Sequence, residues 1–254
     1  MRLQGKNIIL TGASRGFGQY LAGVLWNEGA NLLLIARRDM SFLLPDARVG
    51  QQRSWMPVNL LERTAASVVI GAVKHLWECR VDGLINNAAI QGPVGPAWES
   101  SHDEWTDTVK LDLLAPVKLC QQIVRLMLDY GSGKIVNLSG GGATSARPNY
   151  SAYATAKTGL VRFSECLAAE LAGTGIDVNC VSPGAMPTDM LPPGVTPNPD
   201  AMQKAAELIV FLLSDESNGI TGKLVSSLWD DLDKLKTRRR PLPDDVYTLR
   251  RETD

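Results

Sequence analysis

Short apolar runs alternate with longer amphipathic stretches along the whole chain. The runs are Asn7–Leu10, Asn31–Ile35, Ser54–Val58, Asp82–Asn86, Lys134–Leu138, Asp177–Val181 and Lys223–Ser226. They are rich in leucine and β-branched residues and lack strict polar alternation, the pattern of strands covered on both faces. Between them, apolar residues recur at helical spacing near 16–28, 60–78, 103–130, 150–173 and 200–214. Sustained strand–helix alternation predicts an α/β fold: a Rossmann-type, doubly wound parallel sheet with helices on both sides, in a single domain.

Two segments break the rhythm. Residues 183–200 hold Pro183, Pro187, Pro192, Pro193, Pro197 and Pro199, which predicts loop. Residues 229–254 are charged, with Arg238-Arg239-Arg240 and a closing Tyr247-Thr248-Leu249-Arg250-Arg251. The expected division is therefore a domain over 1–228 and a charged C-terminal extension over 229–254. That extension either docks on a neighbouring subunit or ends as a solvated terminus.

Composition narrows the function. With 254 residues, 44% of them hydrophobic, the chain can build a core without a disulfide or metal staple. Twenty-six basic residues against 27 acidic ones leave a net charge of −1, so neither a nucleic-acid nor a membrane partner is expected. The first apolar run stops at Thr11-Gly12, far short of a signal core or a membrane span. Cys79, Cys120, Cys166 and Cys180 have neither CxxC spacing nor a histidine at ligand spacing, and His75 and His102 are far apart. Reduced thiols, no metal site and a cytoplasmic location are the expectation.

The chemistry begins after the first strand, in Thr11-Gly12-Ala13-Ser14-Arg15-Gly16-Phe17-Gly18. Glycines there let the backbone turn tightly against a pyrophosphate, and a helix starting at Gly16 aims its first amides and its positive dipole end at that anion. The second strand chooses the cofactor. An NAD site closes this strand with an acid for the ribose hydroxyl, whereas a 2′-phosphate calls for cations. Here Arg37 and Arg38 follow the strand, no acid occurs before Asp39, and Arg15 is within reach from the glycine turn. NADP(H) is the expected cofactor.

Farther along, Tyr153 and Lys157 stand at i and i+4, on one face of a helix. A free phenol with pKa near about 10 is a poor acid–base group at neutral pH. A neighbouring ammonium favours the phenolate and brings the phenol toward the working range.

These motifs stand in order with Asn86-Asn87-Ala88-Ala89, Ile135-Val136-Asn137-Leu138-Ser139 and Ser182-Pro183-Gly184-Ala185-Met186-Pro187-Thr188. Over residues 5–228 the chain resembles the single-domain branch of the short-chain dehydrogenase/reductases. The resemblance implies that Tyr153 exchanges a proton with the substrate oxygen while hydride passes between the nicotinamide and the carbonyl carbon. It implies that Lys157 binds the nicotinamide ribose and lowers the phenol pKa, and that a serine after the fifth strand polarises the carbonyl. It further implies that Gly12, Ser14, Arg15, Gly16, Phe17 and Gly18 cradle the pyrophosphate, with Arg37 and Arg38 at the ribose phosphate. By the same resemblance Asn59 and Leu60 lie at the adenine, with Asn59 where relatives carry Asp. Asn86, Asn87, Ala88 and Ala89 border the adenine-ribose side, and Pro183, Gly184 and Thr188 the nicotinamide.

Besides Asn59, the chain departs from the family pattern at three places. Asp112 stands where relatives carry an asparagine whose backbone carbonyl anchors a water of a proton relay. The usual serine position, thirteen residues before the tyrosine, is Gly140, with Ser139 one residue earlier. A glycine run can bulge at little steric cost, so we expect the Gly140–Gly142 turn to rotate Ser139 into the site. The short, proline-rich 183–200 segment replaces a longer helical lid, so an open site is expected.

The expected activity is NADPH-dependent carbonyl reduction, or the reverse alcohol oxidation. Expected substrates are 3-oxoacyl, keto-sugar or polyketide-like compounds. The alternative is a regulatory or scaffold protein that binds NADP without turnover. A homotetramer or homodimer is expected, because the resemblance pairs the two long helices across a two-fold axis. Leu113, Leu114, Val117, Leu160 and Phe163 are apolar beyond the needs of one helix face.

Overall fold

The apolar runs become strands, buried on both faces in the middle of the sheet and only partly covered at its two edges. In the computed structural model, which describes residues 1–40, 49–192, 194–238 and 240–249, the strands are β1 (Asn7–Thr11), β2 (Asn31–Ala36), β3 (Arg53–Pro57), β4 (Gly83–Asn86), β5 (Gly133–Leu138), β6 (Ile176–Ser182) and β7 (Lys223–Ser226). All pairings are parallel, in the order β3-β2-β1-β4-β5-β6-β7. Period-two alternation then sends neighbouring side chains to opposite faces. Ile8 and Leu10 join Leu21, Leu25 and Trp26 of α1 (Gly16–Asn27) and Ile209 and Phe211 of α6 (Ala201–Leu213). Ile9 joins Val69 and Val73 of α2 (Ala65–Trp77) and Leu119 and Ile123 of α4 (Ala115–Tyr130).

β1 is flanked by β2 and β4, so the sheet grows in opposite directions on its two sides. At such a switch point the loops leaving the C-terminal strand ends diverge and open a crevice. Every motif named above lies on those ends or on the helices that follow them.

The structure revises three expectations. The helix expected over 103–130 is divided: α3 (His102–Val109) and α4 are joined by one π turn, Lys110–Leu114. Pro116 explains it, because proline has no N–H to donate to the Asp112 carbonyl four residues back, and its ring would collide with that carbonyl in a regular helix. The described part of the C-terminal extension packs on its own chain. It contains α7 (Leu232–Thr237), and Leu235 and Leu242 enter the core beside α6. Leu224 N–H donates to the Tyr247 carbonyl at 2.7 Å, and Leu249 N–H donates to Glu165 of α5 (Ser151–Glu170) at 2.8 Å. Arg239, Arg250 and Arg251 lie outside the described residues, as does Pro193 of the 183–200 loop. Leu160 is fully buried within its own chain, so it offers nothing to a second subunit. Among the described residues no helix is long and apolar enough to cross a membrane.

Candidate active site

A cavity of about 780 Å³ opens at the switch point. Apart from Asn86, the expected cofactor residues line it, from the glycine turn through Arg37, Arg38, Asn59 and Leu60 to Asn87–Ala89 and Pro183, Gly184 and Thr188. Its first wall is fixed by the β1–α1 turn. Gly12 has φ +68, and a Cβ there would lie 2.7 Å from the Ala88 Cα, so only glycine lets the turn touch the end of β4. Asn87 locks that contact: its Nδ2 donates to the Thr11 carbonyl at 2.9 Å and the Gly12 carbonyl at 3.2 Å. The Thr11 hydroxyl accepts from the backbone amides of Asn87 and Ala88 at 3.0 and 3.1 Å. The N-terminal end of α1 has no side-chain cap and no acidic residue in its first turn, and its amides open into the cavity. Asn86 is different: it is buried and donates to Asn137 at 2.8 Å, so it supports the floor and does not line the cavity.

Among its described residues the 183–200 segment has no regular helix, and it borders the crevice through a few contacts. Thr188 packs against Gly16, Asp189 forms an ion pair with Arg15 at 3.0 Å, and Gln91 Nε2 donates to the Met190 carbonyl at 3.3 Å. The loop thus touches the glycine turn, whose Arg15 and Gly16 remain exposed. Arg15, expected at the ribose phosphate, pairs with that loop through an exposed ion pair.

The reacting end is built by β5, the glycine turn after it and α5. Lys157 is buried, donates to the Leu138 carbonyl at 3.0 Å and lies 3.5 Å from the Asp112 carboxylate. Asp112 is wholly buried on the π turn and accepts from the Ile90 amide at 2.9 Å; it does not line the cavity. Burial pushes the Asp112 carboxyl above the usual range, and Lys157 pulls it back. The Tyr153 phenol differs from expectation in direction. Burial pushes it above its ordinary value; Lys157 and Arg147 pull it down, and Asp112 pushes it up again. Burial is the largest of these influences and outweighs the ammonium, and Asp112 adds to it.

The missing serine has a structural counterpart. A Cβ at Gly140 would fall on the Tyr153 hydroxyl, with the ring carbons Cζ and Cε1 at 3.2 and 3.3 Å. The phenol therefore occupies the space that a side chain at 140 needs. Ser139 is on the cavity wall, 3% exposed, and its hydroxyl has no hydrogen-bond partner. Leaving such a group unsatisfied costs about 1–3 kcal/mol, which a ligand oxygen can recover.

The family profile of the short-chain dehydrogenases matches residues 6–196. The chain belongs to this family. Among its relatives are the 3-oxoacyl-acyl-carrier-protein reductases of Salmonella typhimurium and Escherichia coli, 30% and 29% identical over 235 residues, each alignment spanning 88% of this chain and 96% of the relative. A solved protein assigned as an NAD(P)-dependent gluconate 5-dehydrogenase of Beutenbergia cavernae, with bound NADP, superimposes with TM-score 0.78 at 27% identity, over 89% of this chain and 96% of its own. Levodione reductase shares the fold with TM-score 0.80 at 24% identity, over the same shares of the two chains. The wall of this short-chain dehydrogenase also holds residues outside every motif: Gln91, Arg147 and Met190, and, missed by sequence reasoning, Trp229, Tyr247 and Thr248 from the C-terminal segment. No motif marks them; only the fold brings them to the crevice.

Proposed function

We propose that the protein is an NADPH-dependent carbonyl reductase, working in reverse as an alcohol dehydrogenase. The observation that carries this reading is the convergence of Tyr153, Lys157 and the orphan Ser139 hydroxyl on one end of a cavity whose other end is a dinucleotide cradle. The relatives named as reductases and dehydrogenases support it, with 3-oxoacyl compounds among the candidate substrates. The cradle fits the cofactor: bare amides at the start of α1, glycine-only contact at Gly12, and Arg37 and Arg38 exposed after β2. NADPH, when bound, supplies the hydride to the carbonyl carbon. Tyr153 gives its proton to the carbonyl oxygen, which becomes the hydroxyl of the product. Ser139 donates a hydrogen bond to the same oxygen, and Lys157, steadied by Leu138 and Asp112, holds the ribose and biases the phenol.

The test is NADPH oxidation against a panel of ketones. Tyr153→Phe should lose about 10²–10⁴-fold in kcat with NADPH affinity intact. Ser139→Ala should lose roughly 10²–10³-fold. NADH should bind worse, and Arg37→Ala should remove most of that preference. NADPH binding without turnover of any ketone would favour a regulatory role.

We also infer a homodimer or homotetramer formed along α4 and α5. Leu114 supports this, being 47% exposed on the π turn beside Leu113, which packs on Gly159 of α5. Light scattering that returns a 27.5 kDa particle at micromolar concentration would refute it. Four free cysteines support a reducing, cytoplasmic setting.

A further inference from the structure

The cations of the cavity wall divide unequally. Arg15 is paired with Asp189 and Lys157 with Asp112, while Arg37 and Arg38 follow β2 at the cofactor end. Arg147 is the fifth, and it stands at the reacting end. No carboxylate among the described residues pairs with it. Its one hydrogen bond, to the Gly141 carbonyl, is long at 3.5 Å. What fixes it is aromatic: the guanidinium lies 4.1 Å from the centre of the Tyr150 ring and 5.8 Å from that of Tyr153. Stacking of this kind orients a guanidinium without using its in-plane donors. Its charge reaches the reacting group, since it is one of the influences acting on the Tyr153 phenol.

Between Arg147 and the phenol the chain is glycine. Gly140 carries the Tyr153 hydroxyl against its Cα, Gly141 has open space where a side chain would point, and Gly142 backs onto Arg147 and Ala154. A small molecule can therefore lie over bare backbone, with one end at the proton donor and the other at the guanidinium. A preoriented fork with free donors matches a carboxylate by two parallel charge-assisted hydrogen bonds.

We propose that Arg147 is a specificity-determining residue that anchors a carboxylate, and that the substrate is an oxo acid. This rests on the carbonyl-reductase reading and narrows it, away from neutral thioesters and uncharged ketones. Tyr150 is the platform that holds the anchor in place.

The experiment compares unbranched oxo acids of four to eight carbons, with the ketone at carbon 2, 3 or 4, against their methyl esters at saturating NADPH. For at least one pair, kcat/KM should favour the acid tenfold or more. In Arg147→Gln that acid-to-ester ratio should fall by roughly 10- to 100-fold, the loss expected for a charge-assisted contact. Arg147→Lys should recover part of it. Esters used as well as acids by the native enzyme would overturn the proposal. So would an Arg147→Gln variant that keeps the ratio while losing rate on both, because that outcome leaves Arg147 only a stacking role on Tyr150. If no compound is reduced, the carbonyl-reductase reading fails for this class, and calorimetry of the same acids on the NADP⁺-loaded protein decides the anchor separately. Acid binding that weakens tenfold or more in Arg147→Gln upholds it; absent binding, or binding indifferent to the substitution, overturns it.

Discussion

At position 140 a side chain and the Tyr153 hydroxyl compete for the same space, and the chain resolves this by having no side chain there. Restoring the family serine should therefore harm this enzyme. Gly140→Ser must tip the phenol away from its place, and a misplacement of about 1 Å at a reacting group can cost 10²-fold in rate. We expect kcat to fall at least tenfold; a variant as fast as the native protein would mean the tyrosine has room to adjust. Asp112 makes a second residue-scale prediction. Its carboxylate pushes the phenol upward, so Asp112→Asn should lower the phenol pKa. Alcohol oxidation requires the phenolate, so the rise of kcat/KM with pH should move to lower pH in the variant. An unmoved profile would mean that Asp112 is already neutral in the native site, as its burial favours. Tyr153 and Lys157 were legible in the sequence because a helix turns an i, i+4 spacing into a shared face. The net direction of the phenol shift was not, because it depends on how deeply the pair is buried and on what faces Lys157 from another element.

Elements were legible to the degree that their pattern is local. Strands announce themselves as short apolar runs, so β1–β7 all fall within a residue or two of their expected limits. The division of 103–130 was missed although its signal was present, since Pro116 stands inside the helical pattern. The π turn matters to the site. It carries Asp112 toward Lys157 and Ile90, and it exists where Pro116 forbids the regular bond to the Asp112 carbonyl. Pro116→Ala restores that donor and lets the turn tighten. We expect a folded protein, thermally no less stable, with kcat lowered several-fold as Asp112 rotates away from Lys157. Unchanged kinetics would show that the carboxylate keeps its place without the proline. The loop after β6 gives the converse lesson. Its prolines excluded a helix correctly over the described residues, but nothing local foretold that Asp189 would reach across to Arg15.

At the scale of the whole molecule the C-terminal segment is where sequence reasoning was weakest. Its charge suggested either a docking arm or a solvated end, because charged positions dominate the local average. The fold uses only a few of its residues, and those are decisive. Leu235 and Leu242 close the core beside α6, the Tyr247 carbonyl accepts from Leu224 of β7, and Leu249 is held from both sides by Arg162 and Glu165 of α5. Tyr247 and Thr248 then complete the cavity wall. Such long-range partners leave no periodicity in the segment itself. They do fix the consequence of removing it. A chain ending at residue 228 would expose the surfaces that Leu235 and Leu242 cover, each worth about 1.5–3 kcal/mol of burial. Urea denaturation of the truncated protein should therefore show a clearly lower midpoint, and its cavity, lacking the Tyr247 wall, should bind substrate more weakly than it binds NADPH. The cofactor cradle is built before residue 189, so NADPH affinity should change little wherever the truncated protein remains folded. A truncated protein with the native midpoint would show that the extension adds nothing to the core. Loss of NADPH binding in a folded truncation would show that the two ends of the cavity are not assembled independently.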